Sequence, residues 1–443
     1  MKSQGAGRHF VGRSRREMSA NGRASSVESA ALINVVTRQH RGVDSEIQLE
    51  ELAGLAAAAG ASVVLRATQE RQAADPATLI GRGKADELAL ACDRAGANLV
   101  IFQNELSPAQ ARNLEQVFSR RIVDRTELIL DIFARRARTR EGRLQVELAQ
   151  LEYLLPRLTG QGTALSRLGG GIGTRGPGET KLETDRRRIR HRVAGLKREI
   201  DEVHRRRRHL RARRRRTEVP TVALVGYTNA GKTTLFNRLT GGDAVTSDAL
   251  FVTLDPLIRG VKFPDARRLM VSDTVGFIDH LPHQLVAAFH ATLEEVTSAD
   301  LLLHVIDAAE SDRDRRVAAV RSVLTDIGAG RVPMLEVFNK IDLVSTAERQ
   351  RLLAQHPGAA CISARSGSGC RELLDTVAAR VALDAERLSL EFDASREVDR
   401  RLVAELYRHA RVVSHQARDG RVAIEADVPR RLLERFARAK VPA

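Results

Sequence analysis

One loop constrains the fold of this chain most, because it requires a strand on one side and a helix on the other. Residues 226–233 read Gly-Tyr-Thr-Asn-Ala-Gly-Lys-Thr, between an apolar run, Thr221–Gly226, and a helical pattern, Thr234–Leu239. A glycine-rich turn in this context points several backbone N–H groups at one spot and forms an anion site. The terminal lysine and hydroxyl make it a P-loop, which predicts binding of nucleotide phosphates.

Two side chains of the loop have predicted roles in phosphate chemistry. Lys232 is expected to bridge the β- and γ-phosphates, and the Thr233 hydroxyl to ligate Mg²⁺. The predicted nucleotide contacts of this segment are Gly226, Tyr227, Thr228, Asn229, Ala230, Gly231, Lys232, Thr233 and Thr234.

A second element follows the apolar strand Leu269–Asp273. Asp273 is placed to hold Mg²⁺, through water, and the N–H of Gly276 is placed to reach the γ-phosphate. Between the P-loop and this strand, Thr253 is predicted to be a mobile switch threonine that closes on Mg²⁺ when a γ-phosphate is present. The predicted nucleotide contacts here are Phe251, Val252, Thr253, Leu254, Asp255, Asp273, Thr274, Val275 and Gly276.

Two later elements predict the base that is bound. A buried carboxylate at Asp342 can accept hydrogen bonds from N1–H and the 2-amino group of guanine, which adenine lacks, so a mismatch leaves it unpaired. A backbone N–H near Ser363 can reach the guanine carbonyl. The contacts predicted for the base are Asn339, Lys340, Ile341, Asp342, Ser363, Ala364 and Arg365. Together the elements predict a Ras-like GTPase, with Asn229, Lys232, Thr253 and Gly276 as catalytic residues and Thr233, Thr253 and Asp273 as metal ligands.

A helical hairpin is predicted upstream of the P-loop. Leucines at 144, 148, 151, 155 and 158, and apolar residues at 189, 193, 196, 200 and 203, repeat with a spacing of four and three. Pro156 should end or kink the first helix, which is read as continuous from Thr126. Six glycines occupy the ten residues 169–178 between the helices, and they permit a close approach of the backbone to a partner.

Strand and helix patterns alternate on both sides of this hairpin and predict an α/β fold. The strands expected before it are Ala31–Val36, Ser62–Ala67, Asn98–Phe102 and Arg121–Val123. A helix over Glu397–Val412 and another over Pro429–Ala439 are expected in a β-α-β-α order at the C-terminal end. The predicted regions are a disordered basic tail (1–30), an N-terminal α/β domain (31–125), the hairpin (126–217), a GTPase domain (218–385) and a small α+β domain (386–443).

The positive charge of the chain is concentrated. The net charge is +16, yet residues 186–216 alone carry sixteen lysines and arginines against three acids, and residues 1–27 contribute +5. Such a single-signed run favours contact with a polyanion. Three cysteines without a C-x-x-C pair argue against a zinc ribbon and exclude a disulfide framework. No secretory signal or apolar run long enough to span a bilayer is found, so we expect a cytoplasmic protein that associates with membrane at most peripherally. We also expect it to be a monomer.

Several segments resemble one family of GTPases. They are residues 169–187, reading Gly-Gly-Gly-Ile-Gly-Thr-Arg-Gly-Pro-Gly-Glu-Thr-Lys-Leu-Glu-Thr-Asp-Arg-Arg, together with Asn104–Glu115, Arg138–Gly142 and Gly226–Lys232. This set is similar to the signature of the HflX family of ribosome-associated GTPases, and the resemblance covers about residues 31–384. Two departures occur: Thr233 stands where the family usually has Ser, and Leu257 and Ile258 stand where it tends to have Thr.

The resemblance implies hydrolysis of GTP with Mg²⁺, cycling between GTP and GDP, and binding to the large ribosomal subunit. It implies a role in splitting stalled or idle ribosomes under stress, with the hairpin loop near the peptidyl transferase centre. Some members of the family also bind or hydrolyse ATP, and RNA unwinding is ascribed to some. The ribosome contacts that we expect are Gly169, Gly170, Gly171, Gly173, Arg175, Gly176, Gly178, Arg205, Arg206, Arg207 and Arg208.

One catalytic group is missing from the pattern. Phe277 stands where many GTPases place a glutamine that orients the attacking water, so intrinsic turnover should be slow. One hypothesis is that Asn229 helps to coordinate K⁺, and its alternative is an asparagine tolerated in a tight loop. A second hypothesis is that the ribosome orders the switch segments.

Three readings of the function stay open at this stage. The first is a translation factor that inserts the hairpin into the large subunit. The second is a GTPase for ribosome assembly or RNA modification. The third is an ATP-driven RNA remodeller in which Lys84, after Gly81-Arg-Gly83, touches phosphates; the start of a capped helix is the plainer interpretation of that lysine.

Overall fold

The computed structural model of the chain describes residues 28–38, 44–158, 177–216, 219–246, 249–263, 268–279, 290–381, 385–418 and 420–439. The chain divides into two compact units with a boundary between Arg125 and Thr126. The finer boundaries at 217 and 385 stay predictions. Among the described residues, no helix is both long and apolar enough to cross a bilayer.

The first unit is a parallel α/β layer, as the alternating pattern predicts. Its strands lie in the order β2-β1-β3-β4, all parallel, and their apolar residues pack in a core that includes Ile33, Val100 and Phe102. Ser107 caps one helix through a reciprocal capping box. The elements are β1 (Glu28–Val36), α1 (Ser45–Ala58), β2 (Ala61–Glu70), α2 (Arg82–Ala95), β3 (Leu99–Phe102), α3 (Pro108–Phe118) and β4 (Arg121–Asp124).

Three helices follow, where two were predicted. They are α4 (Arg125–Arg136), α5 (Arg140–Arg157) and α6 (Pro177–Arg216). The prediction of one helix from Thr126 onward is wrong, because the helix is interrupted over residues 137–139. Thr139 caps a new helix by accepting the N–H of Gly142 at 2.9 Å. Helix α5 ends at Arg157, directly after Pro156, as expected.

Five of the ten residues predicted for the seam between α5 and α6 pack in one cluster. Leu144 of α5 is buried with Leu196 and Ile200 of α6, while Leu148 and Leu151 pack against the same cluster. The two helices run in opposite directions, since Glu141 lies 4.0 Å from His204 and Glu147 forms an ion pair with Arg192 further along. Helix α6 has 40 residues, which at 1.5 Å per residue is roughly 60 Å.

A six-stranded sheet carries the P-loop. The strand order is β10-β9-β8-β5-β7-β6, with β6 antiparallel to β7 and the other pairs parallel. The central strands are buried and read as apolar runs, which is typical of a sheet covered on both faces. The elements are β5 (Thr221–Val225), α7 (Lys232–Thr240), β6 (Leu257–Lys262), β7 (Arg268–Asp273), α8 (His290–Thr297), β8 (Leu301–Asp307), α9 (Arg313–Asp326), β9 (Met334–Asn339), α10 (Thr346–Gln355), β10 (Ala360–Cys361) and α11 (Cys370–Arg380).

The C-terminal region is a small α+β layer, an antiparallel sheet in the order β11-β13-β12 with α12 packed on it. The predicted β-α-β-α order is wrong in two respects. The expected helix to Val412 ends at His409 and is followed by an additional strand, and the last expected helix is short and flanked by 3₁₀ turns. The elements are β11 (Ala385–Asp393), α12 (Glu397–His409), β12 (Arg411–Arg418), β13 (Arg421–Pro429) and α13 (Leu433–Phe436).

Candidate nucleotide-binding site

The P-loop connects β5 to α7 along a path that needs glycine at two points. Gly226 has φ +153°, and a Cβ there would meet the carbonyl oxygen of Val305. Gly231 has φ +90°, and a Cβ there would meet the side-chain amide of Asn339. Asn229 also lies in the left-handed region, at φ +60°, which asparagine tolerates better than most residues. The loop therefore fits tightly between two neighbouring strands of the sheet.

Lys232 is anchored by the loop that it serves. Its side chain is buried, and its Nζ donates hydrogen bonds to the carbonyl oxygens of Gly226, at 3.1 Å, and Tyr227, at 2.7 Å. Burial lowers the pKa of Lys232 to about 8, and the nearby Asp273 carboxylate counteracts that effect. A phosphate at the mouth of the loop would supply negative charge to this buried ammonium.

Two hydroxyls and one carboxylate converge beside the lysine. The Thr233 hydroxyl donates to Asp273 Oδ2 at 2.7 Å, and Thr253 Oγ1 lies 2.9 Å from Thr233 Oγ1 and 3.2 Å from the same carboxylate oxygen. Burial raises the pKa of Asp273, against the opposing effect of the Thr233 hydrogen bond. Oxygen donors of this kind are the ligands that Mg²⁺ prefers.

The buried carboxylate also has an oxygen that no protein group satisfies. Asp273 is fully buried, and its Oδ1 has no hydrogen-bond partner among the described residues. A buried acceptor without a partner is costly unless an ion or water completes it. The residues therefore fit a magnesium site, in which Thr233 and Thr253 would be ligands and Asp273 would hold the ion through water.

The segment after β7 is joined to the P-loop by backbone hydrogen bonds. The N–H of Thr228 donates to the carbonyl of Phe277 at 2.8 Å, and the N–H of Phe277 donates to Gly226 at 3.1 Å. A Cβ at Gly276 would lie 2.8 Å from Thr228 Cγ2 and 3.1 Å from Lys232 Nζ. The Phe277 side chain is a buried apolar ring, and because it has no hydrogen-bonding group it cannot orient an attacking water.

Asn339 joins the P-loop to the region predicted to bind the base. Its side-chain amide donates to the carbonyl of Ala230 at 2.9 Å, and its Oδ1 accepts the N–H of Ala364 at 2.9 Å. Lys340, at φ +64°, forms an ion pair of 2.6 Å with Asp307. Asp342 is exposed, contrary to the expectation of a buried carboxylate, because it lies on the 3₁₀ turn Ile341–Leu343 at the surface.

These elements enclose one cleft of about 550 Å³. Sixteen of the residues predicted from the sequence line it: Thr228, Asn229, Gly231, Lys232, Thr233, Thr234, Phe251, Val252, Thr253, Thr274, Gly276, Asn339, Lys340, Asp342, Ala364 and Arg365. Three lining residues were not predicted, Thr246, Ala249 and Leu343, since no motif covers them.

The other predicted contacts lie behind the lining or away from it. Besides Asp255, eight predicted contacts do not line the cleft: Gly226, Tyr227, Ala230, Leu254, Asp273, Val275, Ile341 and Ser363. The first two and Asp273 contact lining residues through the hydrogen bonds described above. Asp255 is directed elsewhere, because its carboxylate accepts the backbone N–H groups of Arg138, at 3.0 Å, and Thr139, at 2.9 Å. Lys84, the alternative phosphate ligand, forms an ion pair with Glu87 at 2.6 Å.

The predicted ribosome contacts are only partly described. Gly169, Gly170, Gly171, Gly173, Arg175 and Gly176 lie outside the described residues. Gly178 lies in the first turn of α6, and Arg205 and Arg206 are exposed near its other end. Arg207 and Arg208 continue that helix, but their side chains lie outside the described part. These contacts stay predictions.

Comparison with known proteins identifies the chain along most of its length. Three family profiles match: "GTP-binding GTPase N-terminal" over residues 46–134, "GTP-binding GTPase Middle Region" over 136–214 and "50S ribosome-binding GTPase" over 221–340. The GTPase HflX of Caldanaerobacter subterraneus subsp. tengcongensis is 44% identical to this chain. The aligned region spans 93% of this chain and 94% of that protein. The GTPase HflX of Escherichia coli is 43% identical, and the aligned region spans 91% of this chain and 94% of that protein.

A solved structure of a GTP-binding protein from Sulfolobus solfataricus in complex with GDP is 24% identical, with a TM-score of 0.42, covering 80% of this chain and 98% of its own. GTPase domains generally use Mg²⁺, in keeping with the oxygen donors around Asp273. Because curated relatives above 40% identity span nearly the whole chain, this GTPase belongs to the HflX family.

Proposed function

We propose that this GTPase is a translation factor that binds the large ribosomal subunit and splits or rescues stalled and idle ribosomes under stress. It works in the cytoplasm as a monomer, and GTP and GDP define its two states. One family profile that matches the nucleotide-binding region is described as a ribosome-binding GTPase. The charge distribution of the chain supports the same kind of partner.

The observation that carries this proposal is the long, basic helix α6. It includes the run 186–216 with a net charge of +13, and Arg205 and Arg206 are exposed on it. A stripe of arginines on a helix favours contact with a nucleic-acid backbone. The chain has no tryptophan and three tyrosines, so stacking of bases contributes little and contact runs mainly through phosphates. The glycine-rich segment 169–178 is proposed to reach furthest into the subunit.

The nucleotide is proposed to control this contact through the γ-phosphate. Lys232, Thr253 and Gly276 converge on the side of the cleft where β5 and β7 end, so a γ-phosphate there would contact the P-loop and the two segments that carry Thr253 and Gly276. The groups that sense it belong to segments that change between nucleotide states in this class of GTPase. In this proposal GTP favours the form that binds the subunit, and hydrolysis releases it.

We further propose that K⁺ completes the catalytic site where Phe277 supplies no polar group. Asn229 is exposed and lines the cleft, so its amide oxygen is available to a monovalent cation. Ribosome-stimulated GTP turnover should be several-fold faster in K⁺ than in Na⁺, and Asn229→Ala should remove that difference. Equal rates in the two salts would exclude this role for K⁺.

The splitting role is tested on intact ribosomes by sucrose-gradient sedimentation. With a non-hydrolysable GTP analogue the protein should convert intact ribosomes into separate subunits and migrate with the large one, and with GDP it should do neither. Lys232→Ala should lose the effect, because the buried ammonium contacts the phosphates. Lys84→Ala is the matched control, because Lys84 follows a similar glycine pair but is paired with Glu87.

The gradient also separates the alternatives. Binding to free large subunits while intact ribosomes stay whole would overturn the splitting role and favour a GTPase for ribosome assembly. ATP hydrolysis that survives Lys232→Ala would favour an RNA remodeller with a second nucleotide site.

A further inference from the structure

The segment that carries Thr253 is held at two points by the start of the helical hairpin. The Phe251 ring packs edge-to-face on Phe133 of α4, with centroids 4.7 Å apart, and both rings are buried. Two residues beyond Thr253, the Asp255 carboxylate accepts hydrogen bonds at the break between α4 and α5. Residues 251–255, called the switch segment below, therefore have anchors on both sides of the threonine.

The contact of Asp255 uses both of its carboxylate oxygens. One oxygen accepts the N–H groups of Arg138 and Thr139, and the other accepts the hydroxyl of Thr139. Hydrogen bonds to an ionised carboxylate are shorter and stronger than neutral ones. The bonds satisfy two N–H groups at the interruption of the helix, so the break over residues 137–139 and the switch segment share one set of hydrogen bonds.

The sequence of α5 leaves room for this carboxylate. Gly142 lies in the first turn of the helix, and a Cβ there would meet Oδ1 of Asp255 and would lie 3.3 Å from Thr139 Oγ1. Glycine weakens a helix relative to alanine. Its presence at 142 is explained by the space that Asp255 needs, which makes the contact a built feature of the fold.

The two anchors flank Thr253, a residue of the candidate metal site. Thr253 Oγ1 lies 2.9 Å from Thr233 Oγ1 and 3.2 Å from Asp273, so the anchored segment holds it beside the other two groups that would hold Mg²⁺. Holding the residues before and after it lowers the entropy that must be lost when Thr253 closes on the ion.

We propose that Asp255 is a positioning residue that couples the nucleotide to the helical hairpin. By binding the backbone of Arg138 and Thr139, it holds Thr253 ready for the γ-phosphate form of the nucleotide, and a bound γ-phosphate in turn steadies the base of the hairpin. Such coupling is reciprocal by thermodynamic necessity. The inference rests on the proposed function only in taking the hairpin as the arm that meets the partner.

The direct test is Gly142→Ala, which pushes the carboxylate out of its place while favouring the helix. The dissociation constants of a fluorescent non-hydrolysable GTP analogue and of GDP are measured with Mg²⁺. The preference for the GTP analogue should fall about tenfold, equal to about 1.4 kcal/mol. Gly195→Ala is the matched control, because this glycine lies within α6 and a Cβ there meets nothing within 4 Å. It should leave the preference unchanged.

A double-mutant cycle separates coupling from simple helix capping. Asp255→Ala should lower the preference as Gly142→Ala does, and the combined variant should show no further decrease, since both remove the same interaction. A purely structural cap would weaken the binding of GDP and of the GTP analogue alike. An unchanged preference in Gly142→Ala, or full additivity in the cycle, would overturn the proposal.

A measurement on the wild-type protein keeps the test independent of folding defects. Amide hydrogen exchange of residues 136–142 should be several-fold slower with the GTP analogue than with GDP, and equal exchange would contradict the coupling. None of these experiments contains ribosomes, so their failure leaves the proposed function standing, and failure of ribosome splitting leaves the coupling standing.

Discussion

The nucleotide cleft and the basic helix α6 solve opposite electrostatic problems. In the cleft, the charged side chains of Lys232 and Asp273 are buried and held by specific partners, and burial shifts the pKa of each toward the neutral form. On α6, sixteen cationic side chains stand within one run of 31 residues, with Arg205 and Arg206 exposed to solvent. The cleft is suited to bind one small anion through a few specific groups, and the helix is suited to contact a large anion at many places.

Because of this difference, the net charge of +16 says little about the GTPase chemistry. Outside residues 1–27 and the run 186–216, the remaining 385 residues carry a net charge of −2. Binding of GTP should therefore depend on a few buried groups, and binding of the partner on a summed, salt-sensitive field.

The largest expected effect is on nucleotide binding in Lys232→Ala. Removal of a buried ammonium that would form charge-assisted bonds to bound phosphates should weaken GTP binding about a thousandfold. Titration with a fluorescent nucleotide measures this affinity, and Lys84→Ala should be unaffected. A decrease of tenfold or less would show that backbone N–H groups alone hold the phosphates.

A second effect concerns the pH dependence of stability. His304 of β8 is fully buried, and burial lowers its pKa to about 4, below the roughly 6.5 of an unfolded chain. Because the unfolded chain binds the proton more readily in that window, about 3 kcal/mol of stability should be lost as the pH falls from about 6.5 to 4.

Denaturant unfolding of His304→Gln against the wild type measures that contribution. The variant should show a shallower decrease of stability over the same pH window. His191→Gln is the control from the other region, because His191 is exposed on α6. If both variants followed the wild-type curve, the buried histidine would not be a source of acid sensitivity.

The smallest effect is expected from removing charge at the end of α6. Replacing Arg205, Arg206, Arg207 and Arg208 by Gln should weaken binding to large subunits about tenfold and lower the salt slope by about three, at ~0.7–0.9 for each phosphate that is no longer neutralised. Intrinsic GTP turnover should stay unchanged. The charge-matched control replaces the exposed Arg396, Arg400, Arg401 and Arg408 in and beside α12. An unaltered slope in the first variant would exclude contact of these arginines with RNA.

The sequence predicts the cleft well because its chemistry is local. A P-loop, a strand ending in Asp273 and a strand ending in Asn339 must meet at one edge of a parallel sheet, so spacing along the chain translates into proximity. Thr246, Ala249 and Leu343 escaped prediction because they line the cleft by their position alone.

Features that depend on distant contacts were not predictable in the same way. The break between α4 and α5 is stabilised by Asp255, more than a hundred residues away, and nothing in the residues around the break indicates that carboxylate. The additional strand β12 is largely exposed at the edge of its sheet, so its alternation of apolar residues is weak. Asp255 itself looked like a nucleotide contact because it stands two residues from Thr253.

We propose that the nucleotide bound in the cleft controls whether the basic helix α6 binds the large ribosomal subunit. Cosedimentation with purified large ribosomal subunits, with a non-hydrolysable GTP analogue or with GDP in parallel, tests it most directly. The protein should pellet with the subunit in the presence of the GTP analogue and stay in the supernatant with GDP. Equal binding with both nucleotides would contradict the claim.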